Sequence, residues 1–385
     1  MIYLDNAATS WPKPESVYET LGSFLREAGA NPGRSGHKMA VAAANAVAST
    51  REKIARLLNA EEPERIVFTS NATDSLNLAI NGLLKSGDHA ITSSMEHNST
   101  IRPIRALQQH GVSYTAVHAT PDGYIDPAEI KRAIQPNTTL IALTHASNVT
   151  GAIVPAAEIA EVAREANVLF LLDGAQTVGA LPIDVQLLGV DLIGFPGHKG
   201  LLGPTGTGGL YIGPRVDLER FTPLRSGGTG IFSEAEEQPM ILPYRYEAGT
   251  VNTAGIAALG EGVDYVLTRG VEEIWAHEAT LVSTLVAGLE SISGVNVFPA
   301  PKQTGRAAVV SFTIDGWTPA DAGAVLDQSF DIACRVGLHC APLTIETIGA
   351  MPRGTIRFSP GPFSTATEID KAIEAVRELA SSPLA

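Results

Sequence analysis

Short apolar runs alternate with longer amphipathic segments along the first two thirds of the chain. Runs at 65–69, 88–93, 139–144, 169–173, 191–195 and 208–212 predict strands. Segments at 39–58, 72–85, 100–109, 156–165 and 251–268 predict helices, their apolar residues recurring at the spacing of one helix face. Several strand runs, such as Leu169-Phe170-Leu171-Leu172, are apolar at every position instead of every second one. A strand covered by helices on both faces has that character. The pattern predicts an α/β core on a mainly parallel sheet flanked by helices. Beyond 268 the texture changes to helix 271–292, strands 295–298 and 308–314, helix 319–330, strands 332–336 and 354–359, and helix 366–380. That mixture predicts a smaller α+β domain.

Composition narrows the class without naming it. The 385 residues exceed one small core, and 44% hydrophobic with 18% charged residues is an ordinary globular mixture. No apolar run reaches the roughly 18 to 20 residues that span a bilayer, so no membrane association is expected. The start, Met1-Ile2-Tyr3-Leu4-Asp5, lacks the basic and apolar regions of a secretory signal, leaving the cytoplasm as the expected location. A formal charge of -14 argues against nucleic acid or anionic lipid as a partner. With only Cys334 and Cys340, neither a disulfide framework nor a Cys-rich metal site is expected.

Four strand ends carry residues of complementary chemistry. Lys199, in Gly197-His198-Lys199-Gly200, follows a strand and precedes a glycine-rich turn, where a partly deprotonated amine can attack a carbonyl. Asp173 ends an apolar strand, the position at which open α/β sheets bind ligands, and a carboxylate there can keep a pyridinium nitrogen protonated. Ser70-Asn71-Ala72-Thr73 opens a helix, whose first N–H groups and the Thr73 hydroxyl suit a phosphate. His97, in Met95-Glu96-His97-Asn98, can stack on an aromatic cofactor and move protons. Each alone reads as readily as a turn, an N-cap or a loop histidine. Together they predict a pyridoxal 5′-phosphate (PLP) site.

The order of these motifs, from Tyr3-Leu4-Asp5-Asn6-Ala7-Ala8 to the last helix, resembles the class V aminotransferases among fold-type I PLP-dependent transferases. Within them it is most similar to the cysteine desulfurases and selenocysteine lyases, in particular their second group. The resemblance implies a large PLP-binding domain at 14–264, with 1–13 and 265–385 forming the small domain. It further implies that Ala72, Thr73 and His198 bind phosphate and that His97 stacks on the ring. Asn148 and Gln176 would contact the ring hydroxyl, Asp173 the ring nitrogen, and Lys199 would carry the cofactor as a Schiff base. Gly249 and Thr250, in Glu247-Ala248-Gly249-Thr250, match a segment that reaches the partner's phosphate in a homodimer with composite sites. Asn148 would also help hold the substrate.

The segment Arg335-Val336-Gly337-Leu338-His339-Cys340 refines the expectation. A cysteine in a glycine-containing turn beside Arg335 and a charged His339 suits a reactive thiolate, and the resemblance makes Cys340 the sulfur acceptor. Cys334, in an apolar stretch, reads as a small buried residue. By the same resemblance Arg357 grips the substrate carboxylate through its planar fork, with Arg335 beside it and Arg34 assisting. Pro196 stands where relatives often have Ser, and Ala72 where some have a second Thr, which removes phosphate hydrogen bonds. The expected reaction converts L-cysteine to L-alanine with sulfur left on Cys340 as a persulfide, for delivery to an acceptor protein or small reductant. L-Selenocysteine lyase, another PLP β-lyase or aminotransferase, and a PLP-binding scaffold without turnover are the alternatives.

Overall fold

The computed structural model describes residues 1–33 and 36–382. In chain order the first elements are β1 (Ile2–Tyr3), α1 (Glu15–Glu27), α2 (Lys38–Leu58), β2 (Ile66–Thr69), α3 (Ala72–Leu83), β3 (His89–Ser93), α4 (Asn98–Leu107) and β4 (Ser113–Val117). There follow α5 (Pro127–Ala133), β5 (Thr138–Thr144), α6 (Ala156–Glu165), β6 (Leu169–Asp173), α7 (Val185–Leu188), β7 (Leu192–Pro196) and β8 (Gly208–Ile212). The remainder comprises α8 (Thr253–Arg269), α9 (Val271–Glu290), β9 (Val295–Val297), β10 (Val310–Ile314), α10 (Pro319–Phe330), β11 (Ile332–Ala333), β12 (Arg335–Gly337), α11 (Pro342–Thr347), β13 (Thr355–Phe358) and α12 (Ala366–Ser381).

The larger sheet has the order β2-β8-β7-β6-β5-β3-β4, and β8 alone runs against its neighbours. Its strands divide their side chains between two cores. Ile141, Leu143, Phe170, Leu172 and Ile193 face one layer of helices, while Leu140, Ala142, Leu171 and Leu192 face the other. That is the period-two geometry of a strand acting on uniformly apolar sequence. The expected α/β core with a mainly parallel, helix-flanked sheet is therefore present. Registers Thr144↔Asp173 and Asp173↔Gly194 bring the ends of β5, β6 and β7 to one edge, with Asp173 in the middle.

A second sheet, β12-β13-β10-β9, is antiparallel throughout. Its core joins Val310, Phe312, Ile356 and Phe358 to Leu281 and Leu285 of α9, Leu326 of α10, and Ile369 and Val376 of α12. Leu4 lies in the same core because β1 pairs in parallel with β11. Helix α8 continues through the expected 264/265 boundary to Arg269, and Gly270, at φ 87°, ends it.

Two readings of the elements change. The run 332–336 is not one strand: Ile332 and Ala333 pair with β1, Arg335 begins pairing with β13, and Cys334 lies between the two sheets. Helices α1, α5, α7 and α11 and strands β1 and β4 were not predicted: α5, α7, α11 and β1 are seven residues or shorter, β4 buries only Val117, and the helical spacing of Val17, Leu21, Phe24 and Leu25 in α1 went unread.

Candidate active site

Lys199 lies just beyond β7, and Asp173 closes β6 beside it in the sheet. Asp173 is 3% exposed, and its Oδ1 accepts a hydrogen bond from the Ala175 N–H at 2.9 Å. Burial raises its pKa; the Ala175 bond and the Lys199 charge oppose that shift. Burial lowers the Lys199 pKa to about 8, with the Asp173 carboxylate opposing and Arg357 and Arg335 reinforcing the change. An amine so placed is divided between ammonium and free base near neutrality, as a residue that both takes and returns protons requires.

One cavity of about 200 Å³ brings Lys199 and Asp173 together with Ala72, Thr73, His97, Asn148, Gln176, His198 and Arg335. His97 caps α4, its Nδ1 accepting from the Ser99 N–H at 3.1 Å and lying 2.9 Å from Ser99 Oγ. The accepting role of Nδ1 puts the proton on Nε2. Burial and the nearby cations Lys199, Arg335, Arg102 and Arg357 hold its pKa down to about 4, so the ring is neutral at physiological pH. Ser99 Oγ also lies 2.7 Å from Thr73 Oγ1, tying the start of α3 to the start of α4. Asn71 caps α3 through Asp74 N–H, leaving the N–H groups of Ala72 and Thr73 without intrahelical acceptors. His198 Nδ1 is buried without a partner among the described residues, and burial followed by Lys199 and Lys13 lowers its pKa to about 4. Gln176 Nε2 donates to the Ala7 carbonyl at 3.1 Å.

Cys340 is exposed, and its sole side-chain hydrogen bond among the described residues is with Arg335 Nη2, 3.1 Å from Sγ. Arg335 thus joins the cavity to the thiol. His339 and Cys340 both have left-handed backbones, at φ 50° and 59°, which turns successive side chains apart. The expected charged His339 is not found. Its side chain is buried and reaches Thr355 Oγ1 at 2.8 Å. Thr355 in turn donates to Ser311 Oγ, and Ser311 to the Val149 carbonyl, so His339 Nε2 is the donor. Burial, reinforced by Arg357 and Arg335, lowers its pKa to about 3, which leaves it neutral. It anchors the loop. Asn148 Nδ2 holds the same loop through the His339 carbonyl at 2.6 Å. Burial raises the Cys334 pKa to about 12, in keeping with a packed, unreactive thiol.

Arg357 is wholly buried on β13; Nη1 donates to the Asn148 carbonyl at 3.0 Å and Nη2 to Asp5 Oδ1 at 2.6 Å. Two expected residues lie elsewhere within the chain. Gly249 and Thr250 are exposed and line a separate groove of about 820 Å³. Arg34 lies outside the described residues.

Sequence reading missed Asp5, Ser99 and Glu96. Glu96 is fully buried beneath the site, accepting from Ser93 Oγ at 2.6 Å and from the Thr144 N–H at 2.9 Å. Burial raises its pKa to about 8, with the Asp173 charge acting in the same direction. Its one available signal was a carboxylate directly before His97 at the end of an apolar strand.

Comparison with known proteins places this geometry. The profile of the family described as Aminotransferase class-V matches residues 2–372. A probable cysteine desulfurase of Methanothermobacter thermautotrophicus is 34% identical over 98% of this chain and 94% of its own length. A cysteine desulfurase of Serratia proteamaculans is 34% identical over 98% of this chain and 93% of its own. Among solved structures, the apo cysteine desulfurase from Thermococcus onnurineus NA1 superposes with a TM-score of 0.92 at 31% identity, covering 99% of this chain and 94% of that one. The chain belongs to the aminotransferase class-V family, within it to the cysteine desulfurases.

Proposed function

We propose that this enzyme uses PLP to convert L-cysteine to L-alanine, leaving the sulfur on Cys340 as a persulfide. The observation that carries the reading is Arg335: it lines the cavity of Lys199 and Asp173 and also hydrogen-bonds Cys340 Sγ. Arg335 thus puts the proposed nucleophile one side chain away from the cavity that holds the proposed base.

The residues present fit the cofactor. The unpartnered Nδ1 of buried His198, the first N–H groups of α3 and the Thr73 hydroxyl form a donor set for a phosphate. The buried Asp173 carboxylate is suited to a protonated ring nitrogen, the neutral His97 ring to a stacking partner, and the Lys199 amine to an aldehyde. Asn148 and Gln176 would lie toward the ring hydroxyl. When bound, PLP supplies an electron sink for charge developing at the substrate Cα.

The chain's own groups divide the remaining work. Arg357 anchors the substrate carboxylate, with Arg335 and Asn148 beside it, and Lys199 Nζ removes the Cα proton. Cys340, as thiolate, attacks the substrate sulfur; an S–S bond forms, the S–Cβ bond breaks, and Cβ gains a proton. The sum is L-cysteine plus Cys340–SH giving L-alanine plus Cys340–S–SH. A thiol reductant or acceptor protein then removes the outer sulfur, a reductant thiol being oxidised to its disulfide as sulfide leaves.

Residues 14–264 are taken as the cofactor domain and 1–13 with 265–385 as the domain bearing Cys340 and Arg357, because the principal apolar cores on either side are distinct. A homodimer with composite sites would bring Gly249 and Thr250 to the partner's phosphate. Ile241, which lines the same groove as they do, is half exposed, as are Phe232 and Met240 outside it, and this apolar surface supports that arrangement. No described helix is long and apolar enough to cross a membrane; the cytoplasm is the proposed location. Incubating PLP-loaded protein with L-cysteine and a thiol reductant tests the function. Equimolar sulfide and alanine, abolished by Cys340→Ala, support it; sulfide with pyruvate makes the enzyme a β-lyase. Activity of Cys340→Ala retained on L-selenocysteine alone favours the lyase reading.

A further inference from the structure

Arg357 has five N–H groups and no contact with solvent, so each group must find a partner inside the protein or in a ligand. The Asn148 carbonyl takes one and Asp5 Oδ1 another. Nε, equally buried, has no partner among the described residues. Nε–H and the Nη2 group form one edge of the guanidinium, the edge that a carboxylate grips with two parallel bonds. Asp5 therefore engages one of the two nitrogens of that edge and leaves the other, Nε, without a partner among the described residues.

Asp5 is itself held by backbone. Ser359 N–H donates to the Leu4 carbonyl at 2.7 Å and Asn6 N–H to the Ser359 carbonyl at 3.2 Å, lacing the Asp5 segment to the chain just after Arg357. The carboxylate thus approaches the guanidinium from a fixed direction. Across the sheet Arg335 stands opposite Arg357 in register. Two guanidiniums directly opposite on one sheet face repel. A carboxylate on one of them offsets that repulsion and leaves a single positive charge unmatched.

We propose that Asp5 is a positioning residue for substrate recognition: it fixes the plane of the Arg357 fork and tunes the arginine pair to accept one α-carboxylate. This rests on the reading of Arg357 as the carboxylate anchor. Asp5 does not touch the reacting atoms; it acts through Arg357.

The test compares PLP-loaded wild type with Asp5→Ala and Asp5→Glu. Calorimetry measures binding of L-alanine and of ethylamine, the same amine without its carboxylate, and kinetics give KM and kcat for L-cysteine. For Asp5→Ala, the L-alanine Kd and the L-cysteine KM should rise together by several-fold, as the fork loses the bond that fixes its plane and the added positive charge only partly offsets that loss. Ethylamine binding should stay the same, and KM should change more than kcat. Asp5→Glu keeps the charge but displaces the fork, and should weaken L-alanine alone by several-fold, a result that stands even if Asp5→Ala does not fold. Unchanged L-alanine binding in either variant, or equal weakening of L-alanine and ethylamine, overturns the proposal. The desulfurase reading fails separately, if wild type releases no alanine from L-cysteine.

Discussion

Arg335 and Arg357 stand opposite each other across β12 and β13, and each meets a different acceptor: Cys340 Sγ at 3.1 Å and Asp5 Oδ1 at 2.6 Å. The strand pair therefore couples the group that would take the sulfur to the group that would hold the substrate carboxylate. Both acceptors come from outside the pair, one from the turn after β12 and one from the segment after β1.

Arg335→Ala removes the guanidinium from Cys340. The thiol then loses its one side-chain hydrogen bond among the described residues, and the cavity loses one of its cations. Alanine release from L-cysteine should fall about five-fold, the scale of an exposed charge contact. Unchanged alanine release would show that the contact does not serve the reaction.

His339→Gln keeps a donor for Thr355 and removes the titration. In wild type the folded-state pKa of about 3 lies below the ordinary 6.5, so the unfolded chain binds the extra proton between those values. Stability contributed by neutral His339 is full above about pH 6.5 and is lost as pH falls toward 3. Urea unfolding from pH 6.5 down to 5 should show a shallower loss for the variant than for wild type. Parallel curves would mean that His339 is not buried as the neutral form.

Glu96→Gln imitates the protonated acid, and the sign reverses. A folded-state pKa of about 8, above the ordinary 4.5, makes the wild-type contribution fullest at low pH and lost as pH rises through 8. The variant should match wild type at pH 5 and exceed it in stability at pH 8.5. Lower stability of the variant at pH 8.5 would contradict a protonated Glu96.

How much of this was legible in the sequence follows from where each signal resides. Strands β5, β6 and β7 are buried on both faces, so their uniform apolar runs announce them, and Asp173 and Lys199 are found at their ends. Strand β4 is at the sheet edge and half exposed, so its pattern is weak. Asp5 and Arg357 are partners 352 positions apart, and nothing local to either predicts the other. His339 was misjudged for a geometric reason: adjacency to Cys340 in sequence says nothing once two left-handed residues turn the imidazole inward.

Lys199→Ala should retain the fold, since Lys199 Nζ makes no ion pair among the described residues, while losing the visible absorbance of covalently held cofactor and all alanine release. Full activity in this variant would exclude Lys199 as the base.

The central claim is that Cys340 receives the sulfur, and the most direct measurement is the intact mass of PLP-loaded protein after L-cysteine in the absence of reductant. The account predicts a gain of one sulfur atom that maps to the peptide bearing Cys340, with one alanine released per sulfur gained and no gain in Cys340→Ala. Alanine release with no added sulfur, or added sulfur on Cys334 instead, would contradict it.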